Sequence, residues 1–486
     1  MTSEPLIEQA NYRVYPERWA VLSACAILSM TNIMQWVSYS TIEAQADSYY
    51  CPVGGNCGAA FMSNQIFQIS AVLLGVGGMY FTSRHCVLKS IRVAASLSLF
   101  GALIRMWAAY PGVECNNIRL GLLYAGTFIS SISQVLFLII PSKIGRIWFP
   151  ERQRTMANVV NINAVQLGLI FGSLLPLFLI DNDAETLPQR SSNILRINAI
   201  IAFLCFIPTV MSIFTTSEAP PTPPSLSSTS TVGETMPFFE SIGTCLKNGQ
   251  FLVVSFIFTV AFASQVCTLH ATTILDWRGY SLQGSVVSVG FACAIIGCQL
   301  AGFLVDRTGL YKEVVKASSV LSFVSVVTLR FYFNIEDPTW MHSAIIYILF
   351  GVIHIFMMIQ APICIEMGVE ITFPVDETIS TGILILLSNI WMLLLYFIMH
   401  WSENWSFWYD HEGKKNWKVS MDIWAFSLLL SVFVSLVFLW PKYKRTLLDN
   451  GDEDILAEIR TLEAVAEVES NSKSKTRSST ISGSIE

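Results

Sequence analysis

Twelve long apolar stretches are the feature that most limits how this chain can fold. Each is about 20 residues or longer, the length that an α-helix needs to cross the hydrocarbon core of a bilayer. A helix satisfies its own backbone hydrogen bonds in lipid, whereas the strands of a membrane barrel are about ten residues long and alternate in polarity. The sequence therefore predicts an all-α polytopic membrane protein with twelve transmembrane helices. The stretches lie at 19–42, 61–81, 90–109, 120–141, 157–180, 194–215, 250–275, 283–305, 314–334, 343–365, 378–400 and 419–440.

Composition supports the same conclusion. Hydrophobic residues make up 53% of the 486 residues and charged residues only 13%, which is more apolar surface than a soluble fold buries. The charges collect between the apolar stretches, as expected when one at the bilayer centre costs at least about 2.5–3.5 kcal/mol. The net charge of −6 gives no basis for a nucleic-acid partner, and none is expected.

A proline-rich segment divides the chain into two sets of six stretches. Residues 217–235 contain the run 219–224, Ala-Pro-Pro-Thr-Pro-Pro, followed by Ser and Thr, and such a segment has no apolar face to bury. We therefore expect two pseudo-symmetric six-helix bundles. The predicted regions are a cytosolic amino terminus (1–18), an amino-terminal bundle (19–216), a cytosolic linker (217–248), a carboxy-terminal bundle (249–440) and an acidic cytosolic tail (441–486).

The distribution of Lys and Arg predicts the orientation. The first stretch, 24 residues long, exceeds a signal-peptide core of about 7–15 residues and is expected to remain as a helix. Sixteen Lys and Arg flank the stretches on the side of the amino terminus and seven lie on the opposite side, which predicts that both termini are cytosolic. One inner loop departs from this pattern, because it carries four acids and no base: Glu366, Glu370, Asp376 and Glu377.

Several polar features fall in the predicted outer loops. Cys51, Cys57 and Cys115 lie in polar segments there, and a disulfide between two of them is expected, with the pairing left open. Asn404 begins an Asn-Trp-Ser glycosylation sequon in the last outer loop. Arg105 and Arg330, near the outer ends of the third and ninth stretches, are expected to extend toward the interface.

The loop after the eighth stretch carries the most specific general motif. Residues 302–312, Gly-Phe-Leu-Val-Asp-Arg-Thr-Gly-Leu-Tyr-Lys, resemble the G-x-x-x-D-R-x-G-R-K loop of the major facilitator superfamily. The resemblance implies the fold of that superfamily and a two-state latch that holds neighbouring helices together; the alternative is an ordinary charged turn with a glycine cap. The corresponding loop after the second stretch keeps Arg84 but lacks the acid. The latch residues are Gly302, Asp306, Arg307, Gly309, Lys312 and Arg84.

Other segments resemble one family more closely. Residues 18–19 and 29–40 of the first helix and 370–382 around the eleventh resemble the feline leukaemia virus subgroup C receptor-related family, as do 142–149 and 163–168. The resemblance covers most of residues 12–440. Members of that family include transporters of choline and ethanolamine and proposed haem exporters.

The resemblance implies a substrate site near the midplane. Trp36 matches a Trp that forms part of an aromatic cage for a quaternary ammonium, and Gln166 matches a binding glutamine. Asn389 stands where a second glutamine is expected, and Ala263 where a cage Tyr is expected. The ring face of Trp36 would hold a cation that donates no hydrogen bond. Asn32 and Gln35 beside Trp36, together with His270, are further candidates; the alternative for Trp36 and His270 is simple packing.

The middle of the bundle lacks a carboxylate, since Glu43, Asp276 and Glu366 lie near the ends of the stretches. This predicts facilitated, uncoupled transport of a small molecule by rocking of the two halves. Choline, ethanolamine and haem are the candidate substrates; the alternatives are another organic solute, such as an organic anion or a vitamin, and a transport-inactive receptor or scaffold.

No metal-ligand spacing, nucleophile elbow or phosphate loop stands out, so neither an enzyme nor a cofactor or metal site is expected. The resemblance favours the plasma membrane, and a monomer surrounded by the lipid bilayer is expected. Residues 4–7, Glu-Pro-Leu-Ile, leave an endolysosomal membrane as the alternative location.

Overall fold

The computed structural model describes most of the chain as a bundle of long helices. Described are residues 13–51, 57–110, 112, 115–150, 153–180, 187–215, 217–222, 224, 236–277, 280, 283–334, 339–402, 417–449 and 457. The helices of the amino-terminal half are α1 Glu17–Val37, α2 Glu43–Tyr50, α3 Ala59–Arg84, α4 Val87–Ala108, α5 Asn116–Phe137, α6 Ile140–Trp148, α7 Arg154–Leu179 and α8 Leu187–Phe214. Those of the carboxy-terminal half are α9 Phe238–Lys247, α10 Gly249–Trp277, α11 Gln283–Thr308, α12 Tyr311–Tyr332, α13 Trp340–Thr372, α14 Glu377–Ser402, α15 Trp417–Phe438 and α16 Lys444–Asp449.

The number of membrane-crossing helices agrees with the prediction. Within the described residues, eleven helices are individually long and apolar enough to span a membrane, and the bent pair α9 and α10, counted as one span, makes twelve. The bend of 87° between them lies at Asn248. The Asn248 side chain accepts hydrogen bonds from the backbone N–H groups of Gln250 and Phe251, so it caps the start of α10. The all-α polytopic membrane fold is confirmed.

The two halves pack directly against each other. Val287 and Phe291 of α11 belong to the apolar cluster of the amino-terminal half. Met79 of α3 and Val159 of α7 belong in turn to the cluster of the carboxy-terminal half. The interface between the halves is therefore apolar over much of its area, and polar contacts there stand out.

Helix α13 is longer than the sequence predicted. The apolar stretch was expected to end at 365, with an acidic loop after it, but α13 continues to Thr372. Glu366 and Glu370 thus lie inside the helix and are 5% and 2% exposed, which corrects their placement in a loop. The hydropathy falls before the helix ends because Glu366 and Glu370 are charged. The helix continues because polar partners distant in sequence satisfy these carboxylates.

The two outer arginines are buried, contrary to the expectation that they extend to the interface. Arg105 donates to the backbone oxygen of Gln35 at 2.5 Å and to Ser38 Oγ, and its guanidinium lies 4.8 Å from the centre of the Tyr39 ring. It therefore satisfies carbonyl groups at the carboxy-terminal end of α1. Arg330 instead pairs with Asp422 of α15 at 2.7 Å.

The structure describes the cysteines of the predicted disulfide but not the glycosylation sequon or most of the linker. Cys51 and Cys57 form a disulfide, and Cys115 is an exposed free thiol. The sequon at Asn404 lies outside the described residues, as does most of the 217–235 linker.

Candidate functional site

A polar contact joins the two halves near the middle of their long helices. Gln166 of α7 donates from Nε2 to Met358 Sδ of α13 at 3.2 Å, and Gln265 of α10 approaches the same sulfur at 3.8 Å. Gln166 is fully buried and Gln265 is 5% exposed. A thioether is a weak acceptor, so neither amide gains a strong hydrogen bond from it. We call Trp36, Gln166, Gln265 and Met358 the central site.

Two atoms of the central site are buried and have no hydrogen-bond partner among the described residues. They are the amide oxygen Oε1 of Gln166 and the indole Nε1 of Trp36. Trp36 is half-buried and packs against the apolar cluster that contains Val165 and Phe291. A buried donor or acceptor left unsatisfied costs about 1–3 kcal/mol, so such atoms mark a place where a ligand or water would bind.

The other predicted amides make hydrogen bonds within their own half, although Asn32 Oδ1 has no hydrogen-bond partner among the described residues. Gln35 Nε2 donates to the backbone oxygen and Oγ of Ser98, and its Oε1 accepts from Ser130 Oγ at 2.6 Å. Asn32 Nδ2 donates to Ser98 Oγ and to the backbone oxygen of Ser130. Asn389 Nδ2 donates to the backbone oxygen of Ile385 one turn earlier in α14. In this conformation these side chains hold helices together and do not meet at the Gln166–Met358 contact.

Two positions on α10 were singled out from the sequence, Ala263 and His270, and both are buried. Ala263, where a cage Tyr was expected, is fully buried in the apolar cluster of the carboxy-terminal half. Gln265 lies two residues later, about 200° around the helix, and approaches Met358. The missing ring at Ala263 therefore removes nothing from the central site as it stands. His270 is buried at 8% exposure.

At the predicted cytosolic end, a buried network of charges connects the halves. Arg146 of α6 pairs with Glu377 of α14 at 3.4 Å, and Asn158 of α7 donates to Glu366 of α13 at 3.4 Å. Arg445 of α16 lies 3.3 Å from the second oxygen of Glu377 and 4.0 Å from Glu366. We call Arg146, Glu366, Glu377 and Arg445 the gate cluster.

Neighbouring polar groups reinforce the gate cluster. Thr381 of α14 donates to Ser142 of α6 at 2.8 Å, again between the halves. The backbone N–H of Thr446 donates to Glu370 at 2.9 Å. These residues were not predicted to act in gating. The signals in the sequence were the acids of 366–377, which have no base beside them, and Arg146 inside the 142–149 segment.

The predicted latch residues make contacts mainly within their own half. Arg307 lies 4.2 Å from the centre of the Phe303 ring, and Lys312 pairs with Glu313 at 3.5 Å. Gly309, with φ of +65°, ends α11, and its N–H donates to the Val305 backbone oxygen. Arg84 is exposed and lies over Tyr80.

The two remaining latch positions are Gly302, which faces the other half, and Asp306. A Cβ added at Gly302 would make an ordinary van der Waals contact with Val159 of α7 at 3.5 Å, so α11 lies close to the other half here but does not need a glycine for it. The side chain of Asp306 lies outside the described residues. Whether the motif acts as a latch stays a prediction.

Similar proteins from animals cover most of the chain. Solute carrier family 49 member A3 of Xenopus tropicalis is 25% identical over 471 residues, which is 94% of this chain and 94% of that protein. The choline/ethanolamine transporter FLVCR2 of Homo sapiens is 25% identical over 381 residues, 76% of this chain and 69% of that protein. The choline/ethanolamine transporter flvcr2a of Danio rerio is 25% identical over 77% of this chain and 78% of its own length.

Solved transporter structures share the fold. The Escherichia coli fucose:proton symporter FucP superposes with a TM-score of 0.65 at 13% identity, covering 88% of this chain and all of that chain. A mutant of XylE gives a TM-score of 0.67 at 15% identity, covering 92% of this chain and 98% of that chain. The sequence profile of the Major Facilitator Superfamily matches residues 58–369. Twelve spans, this shared fold and the profile match lead to one conclusion: the chain is a multi-pass membrane protein that belongs to the Major Facilitator Superfamily.

Proposed function

We propose that this protein is an alternating-access transporter of a small amino alcohol such as ethanolamine or choline, bound at the central site. The observation that carries the proposal is the contact of Gln166 with Met358 between the two halves, together with the unsatisfied Gln166 Oε1. A site at this position is reached from either side when the halves rock. The names of the FLVCR2 relatives support the same substrate class.

The chemistry of the central site suits an organic cation that needs no counter-ion. The face of the Trp36 ring attracts a desolvated cation by about 2 kcal/mol. Helix α13 places its first carboxylate, Glu366, eight residues after Met358, which is about 12 Å along the helix. Glu366 is already bonded to Asn158 and close to Arg445. We therefore propose that transport is not coupled to protons, although Glu366 lies inside a helix and not at its end.

Haem is the weaker of the candidate substrates. Haem carries two propionate carboxylates, and the central site as described offers no cation to pair with them. An organic anion would meet the unsatisfied oxygen of Gln166 and no described cation in the central site. A transport-inactive receptor or scaffold would need no unsatisfied polar atoms at the interface between the halves.

The gate cluster supplies a mechanism for switching access. With Arg146 bound to Glu377 and Asn158 bound to Glu366, the predicted cytosolic ends of the halves are held together. Rocking toward the other state breaks these contacts and exposes the charged groups to water. Hydration of the charges then replaces the lost contacts. We propose that both termini lie in the cytosol and that the protein works in the plasma membrane.

Uptake into proteoliposomes tests the proposal. We expect uptake of labelled ethanolamine and choline, but not of haem, by the wild type, and at least a tenfold loss in Trp36→Ala and in Gln166→Ala. Trp19→Ala is the matched control, because Trp19 lies near the start of the same helix, is 43% exposed and contacts Phe149. If the folded wild type takes up neither ethanolamine nor choline, the proposal is contradicted. Accumulation driven by a pH jump contradicts the uncoupled mechanism alone.

A further inference from the structure

A histidine in the membrane-spanning part of α13 is placed beside the central site. His354 precedes Met358 by four residues, so the two side chains lie on the same face of the helix. Its imidazole is 2% exposed, and Nδ1 lies 2.7 Å from the backbone oxygen of Phe350. A carbonyl oxygen only accepts, so Nδ1 carries the hydrogen and Nε2 presents a lone pair. No hydrogen-bond partner of Nε2 is found among the described residues.

The ring of His354 is held in one orientation by its neighbours. Gly290 of α11 lies directly against it, since a Cβ built there would be 2.6 Å from the ring carbon Cε1. Phe291 meets the imidazole edge-on, with ring centres 5.3 Å apart. A leucine or phenylalanine would fill this space without burying an unsatisfied nitrogen, so packing alone does not account for a histidine here.

The contacts of α13 and α11 direct this face toward the amino-terminal half. Phe291, which touches His354, belongs to the same apolar cluster as Val165, and Trp36 packs against that cluster. Met358 touches Gln166. His354, Trp36 and Val165, the neighbour of Gln166, therefore border one apolar cluster from three different helices.

The unsatisfied atoms define what would bind there. Gln166 Oε1 and His354 Nε2 are acceptors, and Trp36 Nε1–H is a donor. A primary ammonium offers three N–H donors and a hydroxyl offers both an acceptor and a donor, whereas a trimethylammonium offers no N–H at all. An amino alcohol with a free ammonium thus satisfies more of the site than its N-methylated forms.

We propose that His354 is a substrate-binding residue whose Nε2 accepts a hydrogen bond from a primary ammonium. The site then ranks ethanolamine above N-methylethanolamine, N,N-dimethylethanolamine and choline, in that order. This inference rests on the proposed function, because it assigns specificity to the same central site.

Competition along this N-methyl series tests the inference. Uptake of labelled ethanolamine by wild-type proteoliposomes is measured against increasing concentrations of each of the four unlabelled amines. We expect the inhibitory concentration to rise about tenfold from ethanolamine to choline, as the loss of one hydrogen bond from a charged group predicts. Equal inhibition by ethanolamine and choline overturns the inference while leaving the proposed function intact.

Two variants separate specificity from packing. His354→Leu fills the space without an acceptor and should bring the inhibitory concentrations of the four amines to within about twofold of one another. His354→Gln, whose Oε1 reaches the position of Nε2, should keep the ranking. A His354→Leu protein that keeps the wild-type ranking overturns the inference. Should His354→Leu not fold, loss of the ranking in a folded His354→Gln protein overturns it as well. A wild type that takes up none of the four amines refutes the proposed function itself.

Discussion

Buried amides at the residue scale divide into two kinds. Gln35 has both ends of its amide bonded, to Ser98 and Ser130. Within the described part of the chain, the N–H of Gln166 has a thioether as its acceptor and its oxygen has no donor. Both residues are almost completely buried in a membrane protein, so exposure does not distinguish them. Hydrogen-bond satisfaction distinguishes these two residues, because the bonded amide of Gln35 holds helices together whereas the oxygen of Gln166 can still accept a hydrogen bond from a ligand.

Asp376 allows a prediction about pH. It caps α14 by accepting from the N–H and hydroxyl of Thr378. Burial raises the pKa of its carboxyl above the ordinary 3.8, the Glu377 carboxylate raises this pKa further, and the bonds from Thr378 oppose the rise. The folded state therefore holds a proton that the unfolded state releases, so its stability should fall as pH rises from about 3.8 through the raised pKa.

Asp376→Asn tests this prediction, because Asn keeps the capping oxygen and never ionises. We expect the fall in melting temperature between pH 4 and 7 to be smaller in the variant than in wild type, and the variant to be more stable than wild type at pH 7. Glu240→Gln, at an exposed carboxyl of α9, is the control. Parallel melting curves for wild type and Asp376→Asn across this range would show that Asp376 is not the cause.

At the scale of elements, glycines set how closely the helices pack. A Cβ at Gly297 of α11 would lie 2.4 Å from the backbone oxygen of Ile355 in α13, and the backbone cannot rotate away as a side chain can. We expect Gly297→Ala to push the helices apart and lower the free energy of unfolding by roughly 1–3 kcal/mol. Gly121→Ala in α5 is the matched control, since nothing lies within 4 Å of a Cβ there.

Thermal unfolding of the two purified variants in detergent measures the difference. Gly121→Ala should unfold at or above the wild-type temperature, because alanine favours a helix over glycine by about 1 kcal/mol. Equal melting temperatures for Gly297→Ala and Gly121→Ala would mean that α11 and α13 separate at little cost.

At the scale of the whole molecule, Arg445 ties the carboxy-terminal segment to the interface between the halves. It is 2% exposed and is shared between Glu366 and Glu377, while Arg146 of the other half binds Glu377 as well. Removing one partner of a buried ion pair leaves uncompensated charge at a cost of about 3–5 kcal/mol. We therefore expect Arg445→Ala to shift the protein toward the conformation that is open at the predicted cytosolic end.

Alkylation of a thiol introduced by Ser142→Cys reports this opening, because Ser142 lies 5% exposed between the halves against Thr381. The rate, followed by mass spectrometry of that peptide, should rise at least tenfold with Arg445→Ala. Lys442→Ala, three residues away at an exposed position, is the control and should leave the rate unchanged. An equally slow reaction in both backgrounds would argue against a role of Arg445 in closure.

The sequence alone determined the fold class, the number of spans and the family. Length and hydropathy are local properties, and lipid demands a helix from any apolar stretch of about 20 residues. Trp36 and Gln166 could be proposed as binding residues from short local motifs, and that role stays a prediction.

Only the tertiary structure decided which polar groups are satisfied. Gln35 and Gln166 look alike in the sequence, and the difference between them depends on Ser98, Ser130 and Met358 from other helices. The acids of α13 were placed in a loop because the residues that stabilise them, Asn158 and Arg445, lie 208 and 79 positions away. Hydrogen bonds and ion pairs between distant helices have no local periodicity, so the partners of buried charge appear only once the helices are packed.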